Sequence, residues 1–199
     1  MSGSRSIISI LFLSGGLAAC DADPVSQQRS PESGVATPEA VLGALNAHDA
    51  HGSPHVAVVD DCDASDPSWA ASGGCALRGG VVTNAEFGAF LGSPLSLAVV
   101  GHTAWRMDPS YLRAADGMSI LVRNVGGRTH TFTPVAAYGG GRVGPFNVGL
   151  TPAPECAPAT PDPYLLPAGG QLQLDNLTSG NHRFQCCFHP WMRAVIKVQ

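Results

Sequence analysis

The feature that most constrains this chain is a short run near its C-terminus, Cys186-Cys187-Phe188-His189-Pro190-Trp191-Met192. A thiol, an imidazole and a thioether stand there at Cys-x-x-His-x-x-Met spacing, in a turn between two predicted strands. A thiolate, two imidazoles and a weak axial thioether form the ligand set that suits copper in both of its oxidation states. The turn supplies only one imidazole, so the fold must bring a second one from elsewhere in the chain.

His130 is the candidate for that second imidazole. It opens a predicted strand directly after a Gly126-Gly127 break. A sandwich of short strands readily brings distant strands together at one end. We therefore expect a single copper ion to be bound by His130, Cys186, His189 and Met192.

The composition favours an all-β domain. The 199 residues include 24 Gly and 16 Pro, which break the chain into short pieces. Short apolar or alternating segments predict strands at residues 111–114, 118–124, 130–135, 171–177, 182–187 and 194–198. The turn Ala115-Asp116-Gly117 predicts a hairpin between the first two of these. Strands of this length and spacing are typical of a β-sandwich.

Two stretches, residues 124–135 and 180–198, resemble the plastocyanin/amicyanin branch of the cupredoxins, the small blue-copper proteins. The short ligand loop is most similar to that of amicyanin. The resemblance covers residues 105–199 and implies a Greek-key β-sandwich with one type 1 copper ion. It also implies that His130, Cys186, His189 and Met192 are the ligands, and that the protein transfers electrons without turning over a substrate.

The sequence departs from that family at two places. Thr131 stands where the family often has an Asn that braces the copper loop. The cysteine is also doubled, and because successive side chains of a strand point to opposite faces, Cys186 and Cys187 cannot both enter one site without distortion. The spacing to His189 and the inward parity of Phe184 favour Cys186, although an irregular strand end would allow Cys187 instead.

Zinc is the alternative metal for this ligand set. Zinc binds Cys and His but seldom a thioether, so the position of Met192 favours copper.

The N-terminus has the features of an export signal. Residues 1–19 contain one basic residue, an apolar run and a small-residue region that ends in Leu17-Ala18-Ala19-Cys20. These four residues resemble the bacterial lipobox, which implies that Cys20 carries the lipid and becomes the first residue of the mature chain. The alternative is an ordinary secretory signal in which Cys20 is incidental.

Residues 20–36 are too poor in bulky side chains to form a core and are predicted to be a flexible tether. We therefore expect an exported protein, anchored by its N-terminal lipid. The anchor would lie on the outer side of the bacterial cytoplasmic membrane, or in the periplasm or outer membrane.

Residues 37–104 are predicted to form a partly helical N-terminal extension to the cupredoxin domain at 105–199. Thr37-Pro38-Glu39 can begin a short helix that ends near Ala47, and Ser93-Pro94 can open another that Gly101 closes. Between them, Thr83-Asn84-Ala85-Glu86 has the form of a capping box. His48, His51 and His55 could hold a metal, but solvated linker is the simpler interpretation of that run.

If Cys20 is lipidated and Cys186 binds the metal, four cysteines remain, which fits two disulfides. Nearness in sequence pairs Cys62 with Cys75 and leaves Cys156 for Cys187. The alternative is that these residues are buried free thiols, which is uncommon in an exported protein.

The formal net charge of −4 and the lack of any block of Lys or Arg exclude a phosphate-binding surface of the kind that nucleic-acid-binding proteins use. We expect a monomeric one-electron carrier that exchanges electrons with envelope redox proteins, a cytochrome or an oxidoreductase, through a solvent-facing edge of His189. The alternative is an envelope protein that stores or delivers copper with the same site. An enzyme is not expected, because the sequence has no second set of His-rich copper motifs.

Overall fold

The computed structural model describes residues 53–92 and 101–199. Predictions for the signal peptide, the tether, Cys20, the helix at 37–47 and the helix opened by Ser93 lie outside the described residues, as do His48 and His51. Among the residues described, no helix has the length and hydrophobicity needed to cross a bilayer.

Ten short strands form most of the fold. They are β1 (His55–Val59), β2 (Arg106–Asp108), β3 (Tyr111–Ala114), β4 (Ile120–Asn124), β5 (His130–Thr131), β6 (Thr133–Val135), β7 (Leu165–Leu166), β8 (Gln171–Leu174), β9 (Gly180–Gln185) and β10 (Arg193–Val198). One sheet has the order β2-β1-β4-β8, a second has the order β3-β10-β9-β6, and β5 pairs with β7. The pairs β1–β4 and β3–β10 are parallel, and the other pairs are antiparallel.

The hydrophobic core lies between the two four-stranded sheets. Alternation along β10 buries Ala194, Ile196 and Val198, while β1 contributes Val56 and Val58 from the other sheet to the same cluster. This two-sheet arrangement confirms the predicted all-β sandwich.

One prediction about strand connectivity and one about the domain boundary need correction. The turn at residues 115–117 does not form a hairpin, because β3 pairs with β10 and β4 pairs with β1. The turn carries the chain from one sheet to the other.

The sandwich also begins before the predicted boundary at Trp105. Strand β1 lies in the first sheet, between β2 and β4, so it belongs to the same compact unit as the C-terminal strands. The segment after it contributes to the core as well.

The N-terminal region is partly helical, as predicted. Helix α1 (Asn84–Leu91) begins at the expected capping box, in which Thr83 and Glu86 each accept a hydrogen bond from the other's backbone N–H. A 3-10 helix, Pro67–Ser72, precedes it and buries Trp69 against Phe87 of α1.

Two disulfides join the loops to this framework. Cys62 bonds to Cys75 beside the 3-10 helix, and Cys156 bonds to Cys187. The second bond fastens the long Gly- and Pro-rich segment before β7 to the end of β9. Because it closes a loop of 31 residues, it stabilises the fold by about 4 kcal/mol in the chain-entropy view.

Candidate metal centre

His130 lies where the chain passes from the two-stranded sheet to one of the four-stranded sheets. Strand β5 pairs with β7 in the two-stranded sheet, and two residues later β6 pairs with β9 in the second four-stranded sheet. Phe132, fully buried at this crossing, stacks on Phe184 with ring centroids 4.5 Å apart. This packing fixes His130 at the end of the sandwich where β9 finishes.

The second part of the site is the turn between β9 and β10. Cys186 directly follows the last residue of β9, and its backbone N–H donates to the carbonyl of Met192 at 3.0 Å. The N–H of Met192 in turn donates to the carbonyl of His189 at 2.9 Å. These two bonds close the turn and hold its side chains in a fixed arrangement.

Three ligand atoms meet in the space between these elements. The Sγ of Cys186 lies 3.7 Å from the Nδ1 of His130 and 3.6 Å from the Nδ1 of His189. Cys186 and His130 are fully buried, and His189 is 6% exposed. Within the described ranges, this is the group of His, Cys and acidic residues whose ligand atoms converge.

The spacing of these atoms suits a small trigonal metal site. Metal–nitrogen bonds of about 2.0 Å and a metal–sulfur bond of about 2.3 Å, meeting near 120°, separate nitrogen from sulfur by about 3.7 Å. One thiolate and two imidazoles in that arrangement are the strong ligands of blue copper sites. The three residues fit a type 1 copper site.

Met192 lies in the same turn and is 1% exposed within the core. Its backbone closes the loop with Cys186, as described above. Its role as axial ligand stays a prediction.

The two adjacent cysteines directly follow β9, and their side chains point in opposite directions. The side chain of Cys186 points between the imidazoles, whereas that of Cys187 bonds to Cys156 under the Gly- and Pro-rich segment. In the part of the chain that the structure describes, Cys186 is the one free cysteine.

Thr131 takes part in bracing this turn. Its backbone N–H points at the Sγ of Cys186 at 3.4 Å, and its hydroxyl accepts the backbone N–H of Cys187 at 2.8 Å. The hydroxyl of Thr133 donates to that of Thr131 at 3.0 Å. A threonine therefore links the two halves of the site where the resembling family often has Asn.

Asp60 is a residue that the sequence analysis missed. It follows β1 and is 2% exposed, and its Oδ2 lies 2.8 Å from the Nε2 of His130. Its carboxylate also accepts the backbone N–H groups of Gly127, Arg128 and Cys62. A carboxylate on the outer nitrogen of a ligand imidazole fixes the ring's tautomer and orientation, leaving Nδ1 to face the metal.

The alternation of Val56 and Val58, followed at once by Asp60, was the available signal for this residue. It predicts a strand that ends in a carboxylate, but it does not indicate where that strand lies.

In the metal-free site, the charged forms of His130, Cys186 and Asp60 stabilise one another. Burial acts against a charged imidazole, but hydrogen bonds to Asp60 and Cys186 raise the pKa of His130 to about 9. Burial also acts against a thiolate, but the two imidazoles hold the pKa of Cys186 well below its usual value. Burial would raise the pKa of Asp60, yet His130 and the backbone donors lower it.

His189 has a different environment. It packs against the rings of Phe87, Phe146 and Trp191, with centroid distances of 6.4, 6.0 and 5.4 Å. Burial lowers its pKa, partly opposed by Cys186. The expected solvent-facing edge is reduced to 6% exposure, because α1 and the 3-10 helix Gly144–Phe146 bring aromatic side chains against the ring.

The other histidines in the described residues lie apart from the centre. His55 is exposed at the start of β1, and His182 bonds to the carbonyl of Thr178 at the far end of β9. His102 is buried in an aromatic cluster with Phe87 and Trp105.

No protein-family model and no curated protein matches the chain. Solved structures do match. A purple cupredoxin from Nitrosopumilus maritimus is 11% identical, with 73% of this chain and 99% of that one covered and a TM-score of 0.40. Oxidized plastocyanin from Dryopteris crassirhizoma is 14% identical over the same shares, with a TM-score of 0.35. A reduced amicyanin variant is 19% identical, covering 45% of this chain and 70% of that one, with a TM-score of 0.31.

The chain resembles the cupredoxins in its two-sheet fold and in its ligand set. A copper-containing nitrite reductase from Thermus scotoductus also matches, but only 20% of its length is covered. Since the TM-scores all lie below 0.5, the assignment of the site rests on its own geometry: three convergent ligand atoms at the end of a sandwich.

Proposed function

We propose that this protein is a cupredoxin that transfers single electrons in the bacterial cell envelope, where its N-terminal lipid anchors it to a membrane. The observation that carries the proposal is the buried meeting of Cys186 with the Nδ1 atoms of His130 and His189. Copper held by these residues would supply a one-electron couple. A cytochrome or another envelope oxidoreductase is the partner class we propose, and the protein acts as a monomer.

The protein around the site holds the ligand side chains in fixed positions. Asp60 orients His130, Thr131 joins the two halves of the site, and the closed turn fixes Cys186 relative to His189. Ligands that do not rearrange suit both oxidation states of copper, and they lower the reorganisation energy of electron transfer. The N–H of Thr131 aimed at the sulfur also stabilises the thiolate.

A carrier is favoured over an enzyme because the sequence contains one set of copper-ligand motifs. It is also favoured over copper storage or delivery, because the ligand atoms are buried within a tightly hydrogen-bonded framework. A site that releases its metal readily needs an open path for a competing ligand.

The visible spectrum of the copper-loaded mature protein tests the proposal. We expect an intense blue or green colour from thiolate-to-copper charge transfer. Cys186→Ser should abolish the colour, because it removes the sulfur ligand. The matched control is the double variant Cys156→Ser/Cys187→Ser, which removes the neighbouring disulfide and should keep the colour.

Loss of colour in the control variant with retention in Cys186→Ser would overturn the ligand assignment. A colourless wild-type protein would overturn the type 1 site. Incubation of the copper-loaded protein with a copper chelator separates the two functions, since a carrier keeps its copper over many redox cycles and a delivery protein releases it within minutes.

A further inference from the structure

A cleft of about 680 Å³ lies beside the metal centre and has His189 in its lining. Helix α1 forms one wall through Phe87, Gly88 and Leu91, and the 3-10 helix Gly144–Phe146 lies on another side. Cavities of roughly 300–1,000 Å³ are the size that binds small organic molecules. Nothing in the electron-transfer function requires such a cavity at this place.

Five aromatic rings contribute to the lining. Trp69, Phe87, Phe146 and Phe188 line the cleft together with His189. The rings of Phe146 and His189 are nearly parallel, at 25°, with centroids 6.0 Å apart. A flat ring system is the shape that such walls accommodate best, because offset stacking and edge contacts both become available to it.

Arg128 gives the cleft a positive charge. Its guanidinium lies 4.6 Å from the centroid of the Trp69 ring, and its two terminal nitrogens donate to the carbonyls of Gly74 and Ser72. Its Nε is buried and has no hydrogen-bond partner in the described structure. The carboxylate of Asp60 is engaged by His130 and by backbone N–H groups, so the positive charge of the Arg128 guanidinium remains to attract an anion in the cleft.

We propose that this cleft binds a flat aromatic anion, which places its rings against Phe87 and Phe146 and its acidic group towards Arg128. The bound molecule would then contact His189. An effect of this contact on copper rests on the proposed function. The cleft itself is formed by the protein and does not require the metal.

Binding of 2-naphthoate to the copper-free and the copper-loaded full chain tests the proposal. We expect titration calorimetry to show one site per chain in both forms. The neutral analogue 2-naphthalenemethanol should bind about tenfold more weakly, because it forfeits the attraction between its carboxylate counterpart and the positive charge of Arg128. In the copper-loaded protein, 2-naphthoate should also shift the visible spectrum, since it lies against a ligand ring.

Gly88→Leu is the variant that fills the cleft. A Cβ at Gly88 would meet nothing within 4 Å, so the new side chain enters open space. Replacing a helical glycine also favours α1, so the fold is retained. We expect 2-naphthoate affinity to fall at least about tenfold, since the side chain takes up the ring site. Ala85→Leu adds the same side chain on an exposed part of α1 outside the cleft and should bind like the wild type.

The proposed binding site would be contradicted if Gly88→Leu bound 2-naphthoate as tightly as the wild type, or if the copper-free protein did not bind it. Equal binding of the neutral analogue would overturn the role of Arg128. These outcomes are separate from the colour test, because the copper-free protein lacks the chromophore and still has the cleft.

Discussion

The two imidazoles of the metal centre lie in contrasting surroundings. His130 is fully buried, in contact with a carboxylate and a thiol. In the metal-free protein its raised pKa, about 9, keeps it in the imidazolium form at neutral pH. His189 lies among Phe87, Phe146 and Trp191, and its pKa is lowered by burial. The comparison shows a division of roles, in which the polar flank holds His130 in place and the aromatic flank packs His189 against the cleft.

The largest expected effect comes from removing the charge on the polar flank. Asp60→Asn keeps the shape of the side chain but leaves the buried imidazolium of His130 without its counter-charge. Breaking a buried pair in this way costs about 3–5 kcal/mol, so chemical denaturation of the copper-free protein should show a loss of that size. Copper affinity should fall about 10–100-fold, because the ligand ring loses its orienting partner.

Direct measurement of the midpoint potential sharpens the same comparison. The negative charge of Asp60 favours the more positive oxidised ion, so Asp60→Asn should raise the potential. Asp63→Asn is the matched control in the same loop, since that carboxylate accepts hydrogen bonds from its near neighbour Ser65 and does not contact the metal centre within the described residues. On the aromatic flank, Phe146→Leu should leave copper affinity near the wild-type value. An equal loss of affinity from Phe146→Leu would contradict the division of roles.

A smaller effect is expected at the link between the two halves of the site. Thr131→Val keeps the shape but removes the hydroxyl that accepts the backbone N–H of Cys187. A buried donor left without a partner costs about 1–3 kcal/mol, which thermal or chemical unfolding would detect. Thr131→Ser retains the hydroxyl and should recover most of the loss. Wild-type stability in Thr131→Val would show that the hydroxyl does not brace the turn.

The free energy of unfolding of the copper-free protein should also depend on pH. His189 and His102 both have pKa values lowered by burial, so they stay neutral in the folded state while the unfolded chain protonates them below about pH 6.5. Cys186, with its lowered pKa, acts in the same direction, because only the unfolded chain holds the thiol proton there. Stability should therefore decrease as the pH falls below about 6.5, by at most about 1.4 kcal/mol per pH unit for each such group.

Above that pH the contributions oppose each other. The raised pKa of His130 gives stability that is complete below about pH 6.5 and is lost as the pH rises through about 9. The lowered pKa of Cys186 gives stability that grows over the same interval. A series of melting temperatures should thus be nearly level from pH 6.5 to 9 and fall on the acid side. His102→Gln should make the acid fall shallower, and an unchanged slope would contradict the role of His102.

Those parts of the site that depend on neighbouring residues could be predicted from the sequence. The spacing of Cys186, His189 and Met192 lies within one turn, and the capping box of α1 lies within four residues. Strand alternation also predicts that Cys186 and Cys187 face apart, as they do in the structure. In each case the distance along the chain fixes the distance in space.

Other parts depend on pairing between distant segments and escaped prediction. Asp60 meets His130 across 70 residues, and only the parallel pairing of β1 with β4 brings that end of β1 to the site. The turn at residues 115–117 has the composition of a hairpin. Whether β3 and β4 pair with each other or lie in different sheets depends on the distant strands with which each can pair. The cleft arises from the packing of α1 over His189, which no local pattern encodes.

The adjacent cysteines have a consequence for how the protein matures. Three sulfur atoms, those of Cys156, Cys186 and Cys187, are drawn to the same end of β9, yet only one pairing leaves a thiol between the imidazoles. A bond from Cys156 to Cys186 would consume the sulfur that lies between the imidazoles, and the resulting molecule could not form the proposed copper site. Because the two neighbouring side chains point in opposite directions, Cys187 faces Cys156 and the thiol of Cys186 is kept out of the disulfide.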